Sequence, residues 1–223
     1  MFDKTKTNSQ LGNEVEAHLV KCGINTPMSG NVTTEENQLI TIERAISDIM
    51  TVLGLDMSDD SLVDTPRRVA KMYAKETMWG LKPENFPKCT TVDNKMNYTT
   101  MVCERDIKTM SQCEHHLVTI DGKTTIAYIP KDRVLGLSKL NRIVEYFSRR
   151  PQIQERLTMQ IAETLKFILD TDDVAVVTTA KHYCVASRGI EDTGSDTITA
   201  SLHGVFMDDV AVRAEFMSYV KKD

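Results

Sequence analysis

The sequence predicts an α+β fold with an antiparallel sheet. Apolar residues recur at helical steps in some stretches and alternate in others. The two kinds of stretch are segregated: helices, a strand pair, a helix pair, a strand pair and a closing helix. The chain has 223 residues, 41% hydrophobic and 26% charged, which suits one packed domain with an appended arm.

Residues 1–32 read as an N-terminal arm, with a short amphipathic helix around Leu11 to Val20 and then a loop, and 33–223 read as the main domain. Thr33 and Glu36 stand at capping-box spacing, and Leu39, Ile42, Ile46, Ile49 and Leu53 follow at steps of three and four until Gly54. A second helix opens at Thr65-Pro66, with Val69, Met72 and Tyr73 on one face. "NYTTMVCERDIKTMSQ" and "GKTTIAYIP" alternate and carry β-branched residues, so they read as strands. "SKLNRIVEYFSRR" has Leu140, Ile143, Val144 and Phe147 on one helical face, and Pro151 marks the start of the next helix. "VAVVTTAKHYC" and "DTITASLHGVF" are again strand-like, and "VRAEFMSYV" closes as a helix.

The net charge is -5, which argues against a general nucleic-acid partner. No apolar run approaches the ~18 residues of a membrane span. The first residues, "MFDKTKTNSQLGNEVEAH", lack the apolar core of a secretory signal, so a cytoplasmic location is expected. The five cysteines then read as thiols or ligands and not as a disulfide framework, with Cys22, Cys89 and Cys103 taken as small hydrophobes. His18 and His203 are given no special role. One segment opposes the overall charge: Lys131 to Arg156 holds seven basic and three acidic residues, +7 − 3 = +4.

The chemistry concentrates in two short stretches. Cys113 and His116 form a C-x-x-H pair, and His182-Tyr183-Cys184 brings another cysteine and histidine. Thiolate and imidazole are the donors zinc prefers, and three protein donors leave a fourth position open, as catalytic sites do. His115 and His182 then remain as imidazoles able to move protons at neutral pH. In "LSKLNRIVEYFSRR", Ser138 suits a helix cap, with Lys139 and Arg142 three apart in the first turns. Cations there oppose the helix dipole, and a bound phosphate would reconcile the two. Arg149 and Arg150, near a helix end, suit the dipole. Glu155 can accept two parallel hydrogen bonds, as a guanine edge offers.

"SQCEHHLVTIDGKTTIAYIPKDRVLGLSKLNRIVEYFSRRPQIQERLT" and "HYCVASRGIEDTGSDT" resemble GTP cyclohydrolase I, and "DTPRRVAKMY" and "RAEF" fit it too, across roughly residues 35 to 220. The resemblance implies the tunnelling fold: an antiparallel sheet with a helix pair on one side and an N-terminal helical region. It also implies a homodecamer of two pentamers, with active sites between subunits. The implied reaction turns GTP and water into 7,8-dihydroneopterin triphosphate and formate, the first step toward tetrahydrofolate. One zinc ion per subunit would be held by Cys113, His116 and Cys184. His115 would exchange protons at the guanine imidazole ring, and His182 would act in the later ribose opening. Ser138, counted with His115 and His182 among the catalytic residues, would also hold the triphosphate with Lys139, Arg142 and Arg188, joined by Arg68, while Glu155 and Gln154 would read the guanine edge. His203 stands where the family usually has a small residue.

Two other readings compete. One is a purine- or pterin-binding protein whose zinc only staples the fold; it gives His115 and His182 no task. The other is a different zinc enzyme such as a nucleobase deaminase, whose H-x-E and C-x-x-C pair this sequence lacks.

Overall fold

In chain order, the computed structural model, which describes residues 2–30 and 33–221, contains α1 (Ser9–Lys21), α2 (Glu35–Val52), α3 (Thr65–Lys71), β1 (Thr91–Asp93), β2 (Val102–Cys113), β3 (Thr119–Tyr128), β4 (Arg133–Leu135), α4 (Leu137–Ser148), β5 (Pro151–Gln152), α5 (Gln154–Leu169), β6 (Val174–His182), α6 (Tyr183–Ala186), β7 (Thr197–Leu202), α7 (Val205–Asp208) and α8 (Val210–Val220). Contacts divide it into two units, Asp3–Thr26 with Gly80–Asp223, and Pro27–Trp79. The expected boundary after residue 32 falls at positions 31–32, outside the described residues. The helix of the expected arm, α1, belongs to the larger unit.

The larger unit is built on a five-stranded sheet ordered β5-β2-β3-β6-β7. β2, β3, β6 and β7 are antiparallel neighbours, and β5 adds in parallel beside β2. α4 packs on β2 and α5 on β6 and β7. Leu140, Ile143, Val144 and Phe147 of α4, and Leu157, Ile161 and Leu165 of α5, are fully buried, as their spacing predicts. Part of the opposite face of the sheet is covered by α7 and α8, through Phe206 and Phe216 against Ala127, Ala175 and Val177. The fold is α+β, with a helix pair on an antiparallel sheet.

Some local expectations shift. Pro151 begins a two-residue strand, and α5 starts three residues later at Gln154. The proline has no N–H to offer a ladder, which suits the sheet edge as well as a helix start. Ser138 does not cap α4; Gly136 occupies the cap without a side-chain bond, and Ser138 lies inside the first turn. β1 and β4, three residues each, pair with one another. Cys89 and Cys103 are half-buried thiols, pushed by burial up to about 12 and about 11. Cys22 is exposed.

In the smaller unit, α2 is capped by Thr34, one residue later than the capping-box spacing, and Thr34 Oγ1 accepts from the Asn37 N–H at 3.3 Å. Of the expected apolar stripe of α2, Leu39, Ile42 and Ile46 are half-buried and Ile49 is exposed, as is Leu53 beyond the helix; off that stripe Ile40 and Val52 are exposed too.

Arg150 is the largest fully buried side chain of the larger unit. Its guanidinium lies 4.7 Å from the Tyr146 ring centroid and 4.9 Å from that of Phe147. It donates to Thr26 Oγ1 at 3.0 Å and to the Gly80 carbonyl. Gly80 is required there, because a Cβ would come within 2.1 Å of the Tyr146 carbonyl oxygen. Arg150→Met should therefore lower stability by about 2–4 kcal/mol, since it removes the cation–π contacts, the bond to Thr26 and the donor to the Gly80 carbonyl. Urea unfolding measures this; a loss under about 1 kcal/mol would show that Arg150 is not holding these segments.

Candidate metal centre and its surroundings

β2 and β3 are joined by residues 114–118, a turn that carries both adjacent histidines. The Cys113 N–H donates to the Val118 carbonyl and the Leu117 N–H to the Cys113 carbonyl, each at 2.8 Å. Leu117 takes φ 53°, in the left-handed region that a leucine enters at a cost of roughly 1 kcal/mol or more. Parallel pairing sets Cys113 beside Gln152, whose carbonyl accepts the Glu114 N–H at 3.0 Å. The Glu114 carboxylate is held by Arg156 of α5 at 2.6 Å. The turn is thus pinned to β5 by a backbone bond and to the first turn of α5 by an ion pair.

On the other side of β3, Ile120 lies opposite His182. The chain then turns into α6, which carries Cys184 back toward Cys113. The donor atoms of Cys113, His116 and Cys184 all lie within 4.8 Å of one another. Cys113 is buried, Cys184 half-buried and His116 exposed. Burial, then the neighbouring Cys113, push the Cys184 thiol up. Two thiols and an imidazole at this spacing fit a zinc-type cation, whose charge would offset both effects. His115 adjoins the group, with Nδ1 3.9 Å from Cys113 Sγ. Arg188 Nη1 is 2.7 Å from His116 Nε2. A guanidinium only donates, so that ring nitrogen accepts.

His182 is held by Gln154, whose side chain is 1% exposed. Gln154 Nε2 is 2.9 Å from the carbonyl oxygens of both Thr178 and Thr197, which can only accept. The amide oxygen must therefore face His182 Nε2, at 2.7 Å, and that nitrogen must carry the proton. Nδ1 of the neutral ring is left as the acceptor. Burial lowers the His182 pKa, with nearby Glu155 acting against it.

Ser138, Lys139 and Arg142 stand at the start of α4, with Lys139 and Arg142 both near Cys89. Asn141, in the same turn, donates to Glu104 near the beginning of β2. Cys113 is nine residues further along that strand, on the order of 30 Å at about 3.3 Å per residue. Within one chain the cations of α4 and the Cys113 turn therefore lie at opposite ends of β2. Arg68 belongs to the smaller unit, where it pairs with Asp64 at 3.4 Å.

Residues 42–221 match the family described as GTP cyclohydrolase I. The chain belongs to the GTP cyclohydrolase I family. The GTP cyclohydrolase 1 of Shewanella sp. (strain ANA-3) is 53% identical over 213 residues, 96% of this chain and 99% of that relative. That of Shewanella denitrificans is 51% identical over 208 residues, 93% of this chain and 96% of the relative. Among solved structures, the crystal structure of the archaeosine synthase QueF-Like in the apo form aligns with a TM-score of 0.37 and 16% identity, over 47% of this chain and 91% of that one. The chain is accordingly an enzyme of the cyclohydrolase family, and the tunnelling fold expected of that family is the α+β arrangement described above.

The structure brings Cys113, His115, His116, Cys184 and Arg188 together, and sets His182, Gln154 and Glu155 beside one another. Gln154 spends its amide N–H groups on Thr178 and Thr197 inside the protein and positions His182 through its amide oxygen. Glu155, exposed on the same turn, keeps its carboxylate accessible. The Glu114–Arg156 pair escaped the sequence reading because its members are 42 residues apart. The hydrogen-bond logic at Gln154 makes a direct prediction: neutral His182 should show the Nε2–H tautomer by 15N NMR. An Nδ1–H tautomer would reverse the assigned direction of that bond.

Proposed function

We propose that this enzyme hydrolyses GTP to 7,8-dihydroneopterin triphosphate and formate, with one zinc ion held by Cys113, His116 and Cys184 of each chain. The observation that carries the reading is the gathering of these three soft donors around one point, with two further histidines at its edge, in a chain of this family. A zinc ion so held supplies Lewis acidity that makes a water nucleophilic at neutral pH. His115, on the exposed turn, takes and returns protons at the guanine imidazole ring as it opens. His182, held by Gln154 with Nδ1 free, serves the later ribose opening. The Glu155 carboxylate accepts from the guanine N–H and NH2. Arg188 faces phosphate beside the centre, while Ser138, Lys139 and Arg142, with Arg68, take the remaining triphosphate charge.

The two ends of β2 bear on assembly. A nucleoside triphosphate does not span on the order of 30 Å, so a centre at Cys113 and phosphate cations on α4 serve one substrate only if different subunits supply them. That supports active sites shared between subunits, as in a decamer of two pentamers. The exposed apolar side chains of α2, Ile40, Ile49 and Val52, also favour association. No helix among the described residues is long and apolar enough to cross a membrane; we assign the enzyme to the cytoplasm.

The decisive experiment incubates protein of known zinc content with GTP and follows formate together with pterin absorbance and fluorescence. Both products should appear and stop on chelation; bound zinc with neither product would favour a binding protein. Cys113→Ser and Cys184→Ser should lose zinc and turnover together, and full turnover without zinc would end the metal assignment. His115→Ala should keep zinc while turnover falls about 10²–10⁴-fold. Near-normal rates there would remove its proton role. Lys139→Ala should weaken GTP more than guanosine, and equal effects would take it off the phosphate.

A further inference from the structure

A second set of soft donors lies outside this centre. His18 is in the last turn of α1 and Cys22 is its C-cap, one helical turn apart and on the same face. Both face Glu163 of α5. His18 Nε2 is 3.3 Å from Glu163 Oε2, Cys22 Sγ is 3.6 Å from the same His18 nitrogen, and Cys22 Sγ is 3.9 Å from Glu163 Oε2. Glu163 follows Gln154 by nine residues on α5, about 14 Å along the helix axis, so the set is separate from the Cys113 group.

The three distances have a common geometric meaning. A tetrahedral zinc-type ion sits about 2.0–2.1 Å from nitrogen or oxygen and about 2.3 Å from sulfur. Its donors are then about 3.3 Å apart for nitrogen and oxygen, and about 3.6 Å apart where one is sulfur. The observed triangle matches those edges to within a few tenths of an ångström. As a hydrogen bond the 3.3 Å contact is long. The surroundings hold the donors in place. The His18 ring stacks on Phe167 with centroids 5.1 Å apart. Lys166 takes the other Glu163 oxygen at 3.1 Å and reaches Asp172 at 3.4 Å. Oε2 is thereby left toward His18 and Cys22, and Asp172 offsets the lysine charge. His203 Nδ1 is 3.8 Å from Glu163 Oε1, while its Nε2 bonds Ser201 at 2.8 Å.

We propose that His18, Cys22 and Glu163 form a second divalent transition-metal site, of Zn2+ or Co2+ type, with one coordination position left to solvent. Bound metal ties α1 to α5. The cobalt and alkylation readouts do not depend on the reaction assigned above; formate release serves only as a control that rests on it. Protein whose Cys113 centre is filled with zinc is titrated with Co2+. A cobalt–thiolate charge-transfer band should grow to one further equivalent per chain, and be absent in Cys22→Ser, with formate release unchanged in that variant. Glu163→Gln, which keeps the side-chain shape, should weaken binding at least tenfold. A third readout needs no variant: saturating Zn2+ should slow alkylation of Cys22 at least tenfold. No further equivalent in the wild type, an unchanged band in Cys22→Ser, or alkylation indifferent to Zn2+ would each overturn the site.

Discussion

At one end of the five-stranded sheet three pairings hold in register: Gln112 opposite Thr119, Ile120 opposite His182, and Cys113 beside Gln152. The candidate centre depends on all three. Side chains alternate faces along a strand, so a slip of one residue in β3 would move Cys113 and His182 relative to one another and turn Ile120 out of the core. Only the first two pairings are antiparallel; the third is the short parallel contact of β5. That contact does more than lengthen the sheet. It delivers the start of α5, with Gln154, Glu155 and Arg156, to the turn that carries His115 and His116.

The register is reinforced by polar groups inside the protein. Thr109, Thr124 and Thr178 link hydroxyl to hydroxyl across β2, β3 and β6, at 2.7 and 3.0 Å. Gln152 donates to the Phe147 carbonyl and to Gln160, which reaches back to the Ile24 carbonyl. Arg150 joins Thr26 and Gly80. Such buried groups add little net stability when satisfied, but each costs roughly 1–3 kcal/mol when left alone. They therefore penalise misregistered alternatives more than they stabilise the native arrangement. The segment between β2 and α5 is where most of them gather, which is also where the chemistry sits.

The sequence exposed what is local and hid what is long-range. The periodic face of α4 is legible because burial follows from spacing of three and four, and the structure buries Leu140, Ile143, Val144 and Phe147. Cys113 and His116 are legible because soft donors three apart on a turn are uncommon. The hold of Gln154 on His182 was not legible, because its partners are 24 to 43 residues away and no spacing rule connects them. β1 and β4 are too short for alternation to register. Pro151 carries a local signal that serves a helix start and an edge strand equally. His18 and Cys22 each looked unremarkable alone; only the packing of α1 on α5 sets them against Glu163.

The distribution of function along β2 has a consequence for the chain as a unit. Soft donors and the neighbouring imidazoles occupy one end of the strand, and the cations of α4 occupy the other. A long strand and its flanking helix keep these ends apart by construction, because neither can shorten without losing ladder bonds or core. On the proposed reading, the substrate resolves the conflict by bridging chains: anion-binding charge from one subunit meets the metal and histidines of another. Each subunit then carries two half-sites that cannot work on each other. Association becomes a condition of activity, and the separation that prevents a complete site within one chain makes the active site sensitive to assembly.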